Sequence, residues 1–479
     1  MPDDSAALAE THSAVVVLLG DRAYKVKKPV DLGFLDFSTR EARAEACRLE
    51  VELNRRLAPD VYLGVADIRD PDGEVCDHMV VMRRLPTSRK LSRCLANGEN
   101  VADALRAVAR SVSTLHARPA RGPSLAYVAE RDAVRRRWTD GFAQMATLRD
   151  GIVEPGTQAE IERLALRFLD GRDELFARRI ERGHVRNGHG DLQAEDIFLL
   201  DDGPRIIDCL DFDAEMRWGD VLNDVAFLAM DLERLGHPEA ARTFLAAYRE
   251  FSAENWSPPL AHHYIAYRAH VRAKVAALRA EQTGEPTPEI EALQHLCLSH
   301  LRRSRIRLVL VGGLPGTGKS TVATGLGDRG EAVVLRSDQI RRELPAGTTE
   351  RPEDRYSAES VSAVYDRMLA RAERLLRAGE HVVLDATWSD AAHREQARAV
   401  AERCCADLVE LRCEAPADLC RARIERRLAT GNDPSEATPG VHAWMSDRFD
   451  PWPESAPLAT SDAVDLTIDT AASAADWTS

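Results

Sequence analysis

"NGHGDLQAEDIFLLDDGPRIID", residues 187–208, decides how the first part of this chain is read. His189, Asp191 and Asp196 crowd into a turn beside Gly188 and Gly190, an odd composition for a purely structural loop. The strand-like run "IFLLDDGPRII" follows, and its two ends carry Asp196 and Asp208. A hairpin here gathers the carboxylates. One carboxylate can then face a hydroxyl and take its proton, while the other two offer oxygen to a divalent cation.

Upstream, "AVVVLLGDRAYKVKKPV" (14–30) alternates like two strands around Gly20-Asp21, a hairpin signal. A helical stretch "TREARAEACRLEVELNRRLAP" (39–59) is ended by Pro59. Strand-like "VYLGVADI" (61–68), a turn at 70–73 and apolar "HMVVMRRL" (78–85) complete a small, mostly antiparallel lobe. Helical periodicity covers 100–182, with breaks at "RPARGPS" and "DGIVEPGT". It resumes over about 220–302, interrupted at "TGEPTP".

His189-Gly190-Asp191 and, four residues later, Asp196 keep the spacing of the kinase catalytic loop H-R-D-x-x-x-x-N, with Asp in place of Asn. "RAYK" (22–25) follows the small-x-Lys pattern of the kinase lysine strand, and Glu50 in the next helix is the partner expected for Lys25. Lys27, on the same face of the strand, is a rival for Lys25, and Glu52 a weaker one for Glu50. "VVMRRLP" (80–86) would join two lobes. In this order, residues 1–302 resemble the aminoglycoside phosphotransferase family, an α+β, bilobal, protein-kinase-like fold. The resemblance implies Lys25 on the phosphates of ATP with Glu50 beside it, Asp191 as catalytic residue, and Asp196 and Asp208 as Mg²⁺ ligands. Gln193 and Asp196 stand where the family shows His and Asn, and only Gly20 stands for its glycine-rich loop. His189 is expected to orient the loop and Asp224 to support it, whereas Asp211, Asp213 and Asp220 read as a solvated acidic stretch.

The character changes at "RSRIRLVLVGGLPGTGKST". "GLPGTGKS" (313–320) matches G-x-x-x-x-G-K-[ST] after a strand and before a helical run. Gly313, Gly316, Thr317 and Gly318 would curl backbone N–H groups around phosphate, with Lys319 on the β/γ-phosphates, Ser320 on Mg²⁺ and Thr321 also binding the nucleotide. Strands and helices then alternate through "AVVLRS", "HVVLDAT", "DLVELRC" and a late "VDLTID", an α/β P-loop domain with a parallel sheet over 303–479. Asp338 ends the second strand as candidate base for an acceptor hydroxyl, with helix capping as the competing role. Arg341, one turn on, would hold an anionic group of the acceptor. Asp385 would position Mg²⁺ or its water. Arg423 and Arg427 precede a Gly/Pro-rich segment with the composition of a lid and would close over phosphate. This half resembles small P-loop kinases such as polynucleotide 5′-kinase, gluconate kinase and chloramphenicol phosphotransferase, carried by Ser337-Asp338-x-x-Arg341. In that group the Asp is the base.

The remaining numbers bound the answer. A net charge of −14 argues against a dedicated nucleic-acid binder. Nine scattered cysteines without a CxxC pair fit a reduced, cytoplasmic compartment, and no segment is long and apolar enough to suggest a membrane span. The expectation is a bifunctional ATP- and Mg²⁺-dependent kinase acting on small-molecule hydroxyl acceptors. The alternative is a nucleotide-dependent regulatory protein, in which an inactive kinase-like domain senses a ligand and controls the P-loop ATPase. Neither the acceptor nor the oligomeric state is written in any motif.

Overall fold

The computed structural model describes residues 7–10, 13–31, 36–118, 125–149, 151–285, 288–344, 357–430 and 438–477. The chain forms two compact units: 1–162, 176–256 and 261–300 make the first, and 163–175, 257–260 and 301–479 the second.

The first unit opens with an antiparallel sheet of β1 (Ala7–Glu10), β2 (Ala14–Leu19), β3 (Arg22–Lys27), β4 (Tyr62–Arg69) and β5 (Val75–Arg83), in the order β1-β2-β3-β5-β4. The β2–β3 hairpin turns at Gly20-Asp21 as the alternation required, with Leu19 paired to Arg22. The helix Arg40–Asn54 is capped by Thr39, whose hydroxyl accepts from the Ala42 amide at 3.1 Å. Its Cys47 and Val51 pack on Ala23, Tyr62, Val80 and Met82 of the sheet. The helix stops at Asn54 rather than running to Pro59. Asn54 is buried, its side-chain N–H donates to the Glu50 carbonyl, and its Oδ1 accepts from the Cys209 amide at 2.8 Å. The helix end is thereby fastened to the residue after Asp208.

Helices Ala102–Ala117, Arg131–Met145, Pro155–Leu169 and Asp173–Glu181 fill the expected helical stretch. The "RPARGPS" break lies almost wholly outside the described residues, and Pro286 and Thr287 of "TGEPTP" lie outside them. Two short ribbons follow: β6 (Val185–Asn187) with β9 (Trp218–Asp220), and the hairpin β7 (Ile197–Leu200) with β8 (Gly203–Ile206).

The second unit is built on a parallel sheet ordered β11-β12-β10-β13-β14: β10 (Arg307–Gly312), β11 (Val333–Arg336), β12 (Val382–Asp385), β13 (Asp407–Glu414) and β14 (Ala456–Ala459). Leu308 to Val311 are wholly buried, as a central strand covered on both faces requires. β10 lies between β12 and β13, so the strand order runs to opposite sides of it, and the carboxyl end of such a strand is where open α/β sheets bind ligands. The late strand expected at "VDLTID" is instead the first part of a helix, Val464–Ala474, and the fifth strand is "APLA". Thr467, Ala471 and Ala472 face inward while Val464 and Leu466 are exposed, a helical stripe that overrides the alternation of the first few residues.

Candidate active sites

In the first unit, β3 directs Lys25 and Lys27 to one face, where both meet Glu50. Lys25 Nζ lies 2.9 Å from Glu50 Oε1 and 2.9 Å from Asp208 Oδ1, and Lys27 Nζ lies 2.6 Å from Glu50 Oε2 and 2.6 Å from Asp211 Oδ2. Burial alone would pull the Lys25 ammonium down, but Asp208 and Glu50 outweigh it and hold it well above its ordinary value. Burial would raise Glu50, and the two lysines outweigh it in turn. The rivalry between Lys25 and Lys27 is therefore resolved by division of labour: Lys25 reaches Asp208, while Lys27, 3% exposed, locks Glu50 to Asp211. Glu52 points to solvent.

The loop carrying Asp191 is held by the buried Asp224. Its two oxygens accept from the His189 and Gly190 amides, each at 2.8 Å, and His116 Nε2 lies 3.0 Å from Oδ2. Burial would push this carboxyl up, but the bond and charge of His116 hold it far below the usual range. A side chain at Gly188 would put its Cβ 2.5 Å from Asp224 Oδ2, so only glycine admits this clamp. His189 Nε2 sits 3.0 Å from the Ile207 carbonyl, and burial lowers its pKa, consistent with a neutral, orienting ring. The Ala194 amide is anchored in the same way by Asp231, at 2.9 Å.

Asp196 and Asp208 flank the β7–β8 hairpin, where the Ile207 amide donates to the Asp196 carbonyl at 3.0 Å. Burial, with Asp208 and Asp191 nearby, raises the Asp196 carboxyl well above its usual range. Lys25 lowers Asp208. Burial raises Asp191 against the opposing charges of His189, Arg272 and Arg268, and Gln193 donates to its Oδ1 at 2.9 Å. Three carboxylates so placed carry surplus negative charge that a divalent cation would offset. Among the described residues no group of three or more His, Cys, Asp or Glu side chains is placed to hold a metal ion by itself. An open pair of oxygen ligands is what a cation shared with phosphate needs.

The acidic stretch read as solvated is not. Asp211 pairs with Lys27, Asp213 caps the short helix Ala214–Arg217, and Asp220 is buried against Arg179 while capping the helix Val221–Arg234.

In the second unit a cleft of about 340 Å³ opens at the carboxyl end of β10. It is lined by Gly316, Gly318, Lys319, Ser320 and Thr321, and across from them by Asp338, Arg341, Asp385, Arg423 and Arg427. Gly313 and Thr317 shape the loop rather than line the cleft: the Thr317 hydroxyl donates to the Leu314 carbonyl at 2.8 Å. Gly316 has φ 86°, and a Cβ there would lie 2.6 Å from the Cys420 carbonyl. Lys319 Nζ donates to the Leu314 carbonyl at 3.1 Å, a contact a phosphate oxygen can take over. Asp385, at the end of β12, bonds the Ser320 hydroxyl; burial raises it, opposed by Lys319. Asp338 pairs with Arg341 at 3.2 Å. The helix Ser337–Glu343 has Arg336 at its N-cap with no side-chain cap bond, so the capping role weighed for Asp338 is not realised. Arg423 donates to the Thr460 carbonyl at 2.7 Å and reaches the Gly316 carbonyl, so it braces the loop as well as facing the cleft.

Residues 13–260 match the family model described as the phosphotransferase enzyme family. The chain belongs to that family. In this phosphotransferase, residues 308–452 also match a model described as an AAA domain. Uncharacterized proteins of Mycobacterium tuberculosis (H37Rv) and Mycobacterium bovis are each 43% identical over 451 residues, covering 92% of this chain and 90% of theirs. Among solved structures, a choline/ethanolamine kinase family protein from Mesorhizobium loti aligns over 63% of this chain and 88% of its own, at 12% identity and TM-score 0.40. A gluconokinase from Sinorhizobium meliloti aligns over 36% and 91%, at 15% identity and TM-score 0.26. The phosphotransferase thus joins a kinase-like α+β domain to a P-loop domain with a parallel sheet, and among its described residues no helix is long and apolar enough to cross a membrane.

All the residues expected at the first site converge. Sequence reasoning missed Arg336, 3.3 Å from Asp385, and Arg426, Thr460 and Asp462 in the cleft wall. The strand-end position of Arg336, and the place of Arg426 between Arg423 and Arg427 on the helix Ala417–Thr430, could have pointed to them; Thr460 and Asp462 follow β14, where no motif stands. Most of the Gly/Pro-rich segment read as a lid, residues 431–437, lies outside the described residues.

Proposed function

We propose that this phosphotransferase is a double kinase, each unit moving the γ-phosphoryl group of ATP to a hydroxyl of a small-molecule acceptor. The observation that carries the reading is Asp191. It keeps one carboxylate oxygen without a hydrogen-bond donor among the described residues, on a loop whose His189 and Gly190 amides are held by Asp224, and it lies within electrostatic reach of Asp196 and of Asp208, the partner of Lys25.

Lys25 would hold the α/β-phosphates, its charge secured by Glu50. Asp191 would take the proton of the acceptor hydroxyl, and a carboxyl raised by burial is a better base for that than an ordinary one. In the second unit Lys319 and the loop amides would bind the phosphates, Asp338 would face the acceptor, and Arg341, Arg423 and Arg427 would offset charge on the transferring group. Mg²⁺, when bound, neutralises charge on the phosphates; Asp196 and Asp208 would hold it in one unit, Ser320 and Asp385 in the other. The regulatory alternative draws on Asp196, whose carboxyl is kept from ionising readily by burial and by Asp208 and Asp191.

The test is Mg²⁺-ATP turnover of wild type, Asp191→Asn and Lys319→Ala against sugars, sugar acids, sugar phosphates, amino sugars and nucleosides. A double kinase loses different acceptors in the two variants. If Asp191→Asn changes nothing while Lys319→Ala removes all turnover, the first unit is a binding module.

A further inference from the structure

The helix Pro258–Thr283 brings two positive charges to bear on Asp191. Arg268 and Arg272 stand one turn apart on the same face. Arg268 is 8% exposed, lies over Phe227 and donates through Nε to the Asn223 carbonyl at 3.0 Å. Asn223 precedes Asp224, whose oxygens carry the amides of His189 and Gly190, so Arg268 is fixed beside the loop that bears the base. Arg272, half-buried, makes no hydrogen bond or ion pair among the described residues, and its Nε is buried. Both charges act on Asp191, opposing the rise that burial imposes.

Among the described residues no carboxylate pairs with either guanidinium group. Asp224 is taken by His116 and two amides, Asp220 and Glu254 by Arg179, and Asp191 is bonded by Gln193 rather than by an arginine. A guanidinium pair next to the base would repel an acceptor whose only charges are amines. It matches an oxyanion in a planar, two-pronged way.

We propose that the acceptor of the first unit carries an oxyanion, a carboxylate or a phosphate monoester, which Arg272 binds together with Arg268 while the acceptor hydroxyl lies against Asp191. This rests on the kinase reading of that unit. In the reaction the acceptor oxygen bonds to the γ-phosphorus, and the bond from that phosphorus to the β,γ-bridging oxygen breaks. The hydroxyl proton passes to Asp191 and ADP leaves.

The experiment uses the full chain with Lys319→Ala, which silences the P-loop. Calorimetry measures binding of gluconate, glucose 6-phosphate, glucose and glucosamine. At least one anion should bind more tightly than glucose and glucosamine, and Arg272→Gln should weaken it on the order of 10–100-fold, the scale of hydrogen bonds to charged groups. Arg272→Lys, which keeps the charge, should fall between, and this guards against a folding defect of the Gln variant. Whether gluconate or glucose 6-phosphate binds tells carboxylate from phosphate. Preference for glucose or glucosamine, or anion binding indifferent to both Arg272 variants, overturns the inference. Phosphate transfer is then measured on the same compounds. Anions that bind in an Arg272-dependent way but are never phosphorylated leave the inference standing and sink the kinase reading. Transfer to glucose or glucosamine that ignores Arg272 does the reverse.

Discussion

Glu50 stands between two ammonium groups, and the consequences of removing each differ. Lys27 is almost fully buried and holds both Glu50 and Asp211. Lys27→Met should cost about 3–5 kcal/mol in urea unfolding, because it leaves buried carboxylates short of their counter-charge. Lys25→Met should also lose stability, since Glu50 and Asp208 both lean on its charge, but it should in addition lose ~10²-fold or more in kcat/KM of the first unit, where Lys25 would hold the phosphates. A Lys27→Met variant that loses as much kcat/KM as Lys25→Met would refute this division. The carboxylates make a pH prediction. As the proposed base Asp191 would have to be ionised, and its pKa is raised, so the acid limb of kcat/KM for the first unit should lie above the ordinary Asp range near ~4. Asp196 also has a raised folded pKa. Its contribution to stability is present below the unfolded value and is lost as pH rises through the folded one. Without Mg²⁺, Asp196→Asn should therefore melt higher than wild type at neutral pH, with the gap closing in acid. Added Mg²⁺ should raise the Tm of wild type more than that of the variant. A variant that melts lower at neutral pH without metal would contradict the charge surplus described for this site.

At the scale of elements, the P-loop is the strictest piece. Gly316→Ala forces a left-handed residue with a Cβ into the Cys420 carbonyl, so nucleotide-induced thermal stabilisation of the second unit should vanish while the first unit keeps its response. Retained nucleotide response in the second unit would show that the loop can shift aside. The same unit shows where reading by pattern fails. "VDLTID" alternates like a strand, yet the buried stripe from Thr467 through Ala471 to Ala475 belongs to a helix and lies mostly beyond the six letters that alternate. The true fifth strand, "APLA", has no β-branched residue and contains Pro457, which is tolerated because β14 is at the edge of the sheet. Propensity pointed away from it, and parallel pairing with β13 decided the matter. By contrast, the β2–β3 hairpin and β10 were legible, because a two-residue turn and a wholly buried strand each leave a mark in the local sequence.

For the molecule as a whole, the two proposed sites predict two nucleotides per chain. Titration with a non-hydrolysable ATP analogue should approach two equivalents for wild type and one for Lys319→Ala; one equivalent for both would leave the first unit without a nucleotide. The candidate carboxylates and the lysine pair were legible because each lies in a short motif. The partners of Asp211 and Asp220 were not, since Lys27 and Arg179 come from far along the chain and only folding makes them neighbours. The same loop holds one further feature. Cys209 is buried with its thiol 3.2 Å from the His189 carbonyl, Arg56 reaches its sulfur at 3.0 Å, and burial pushes its pKa up to about 11. All nine cysteines are free and only Cys76 is exposed. A thiol reagent mixed with the native protein would thus modify Cys76 at once, while Cys209 waits until the backbone above it lifts. The delay is a built-in stopwatch for the opening of the segment that carries Asp191, readable by mass spectrometry without any acceptor in hand.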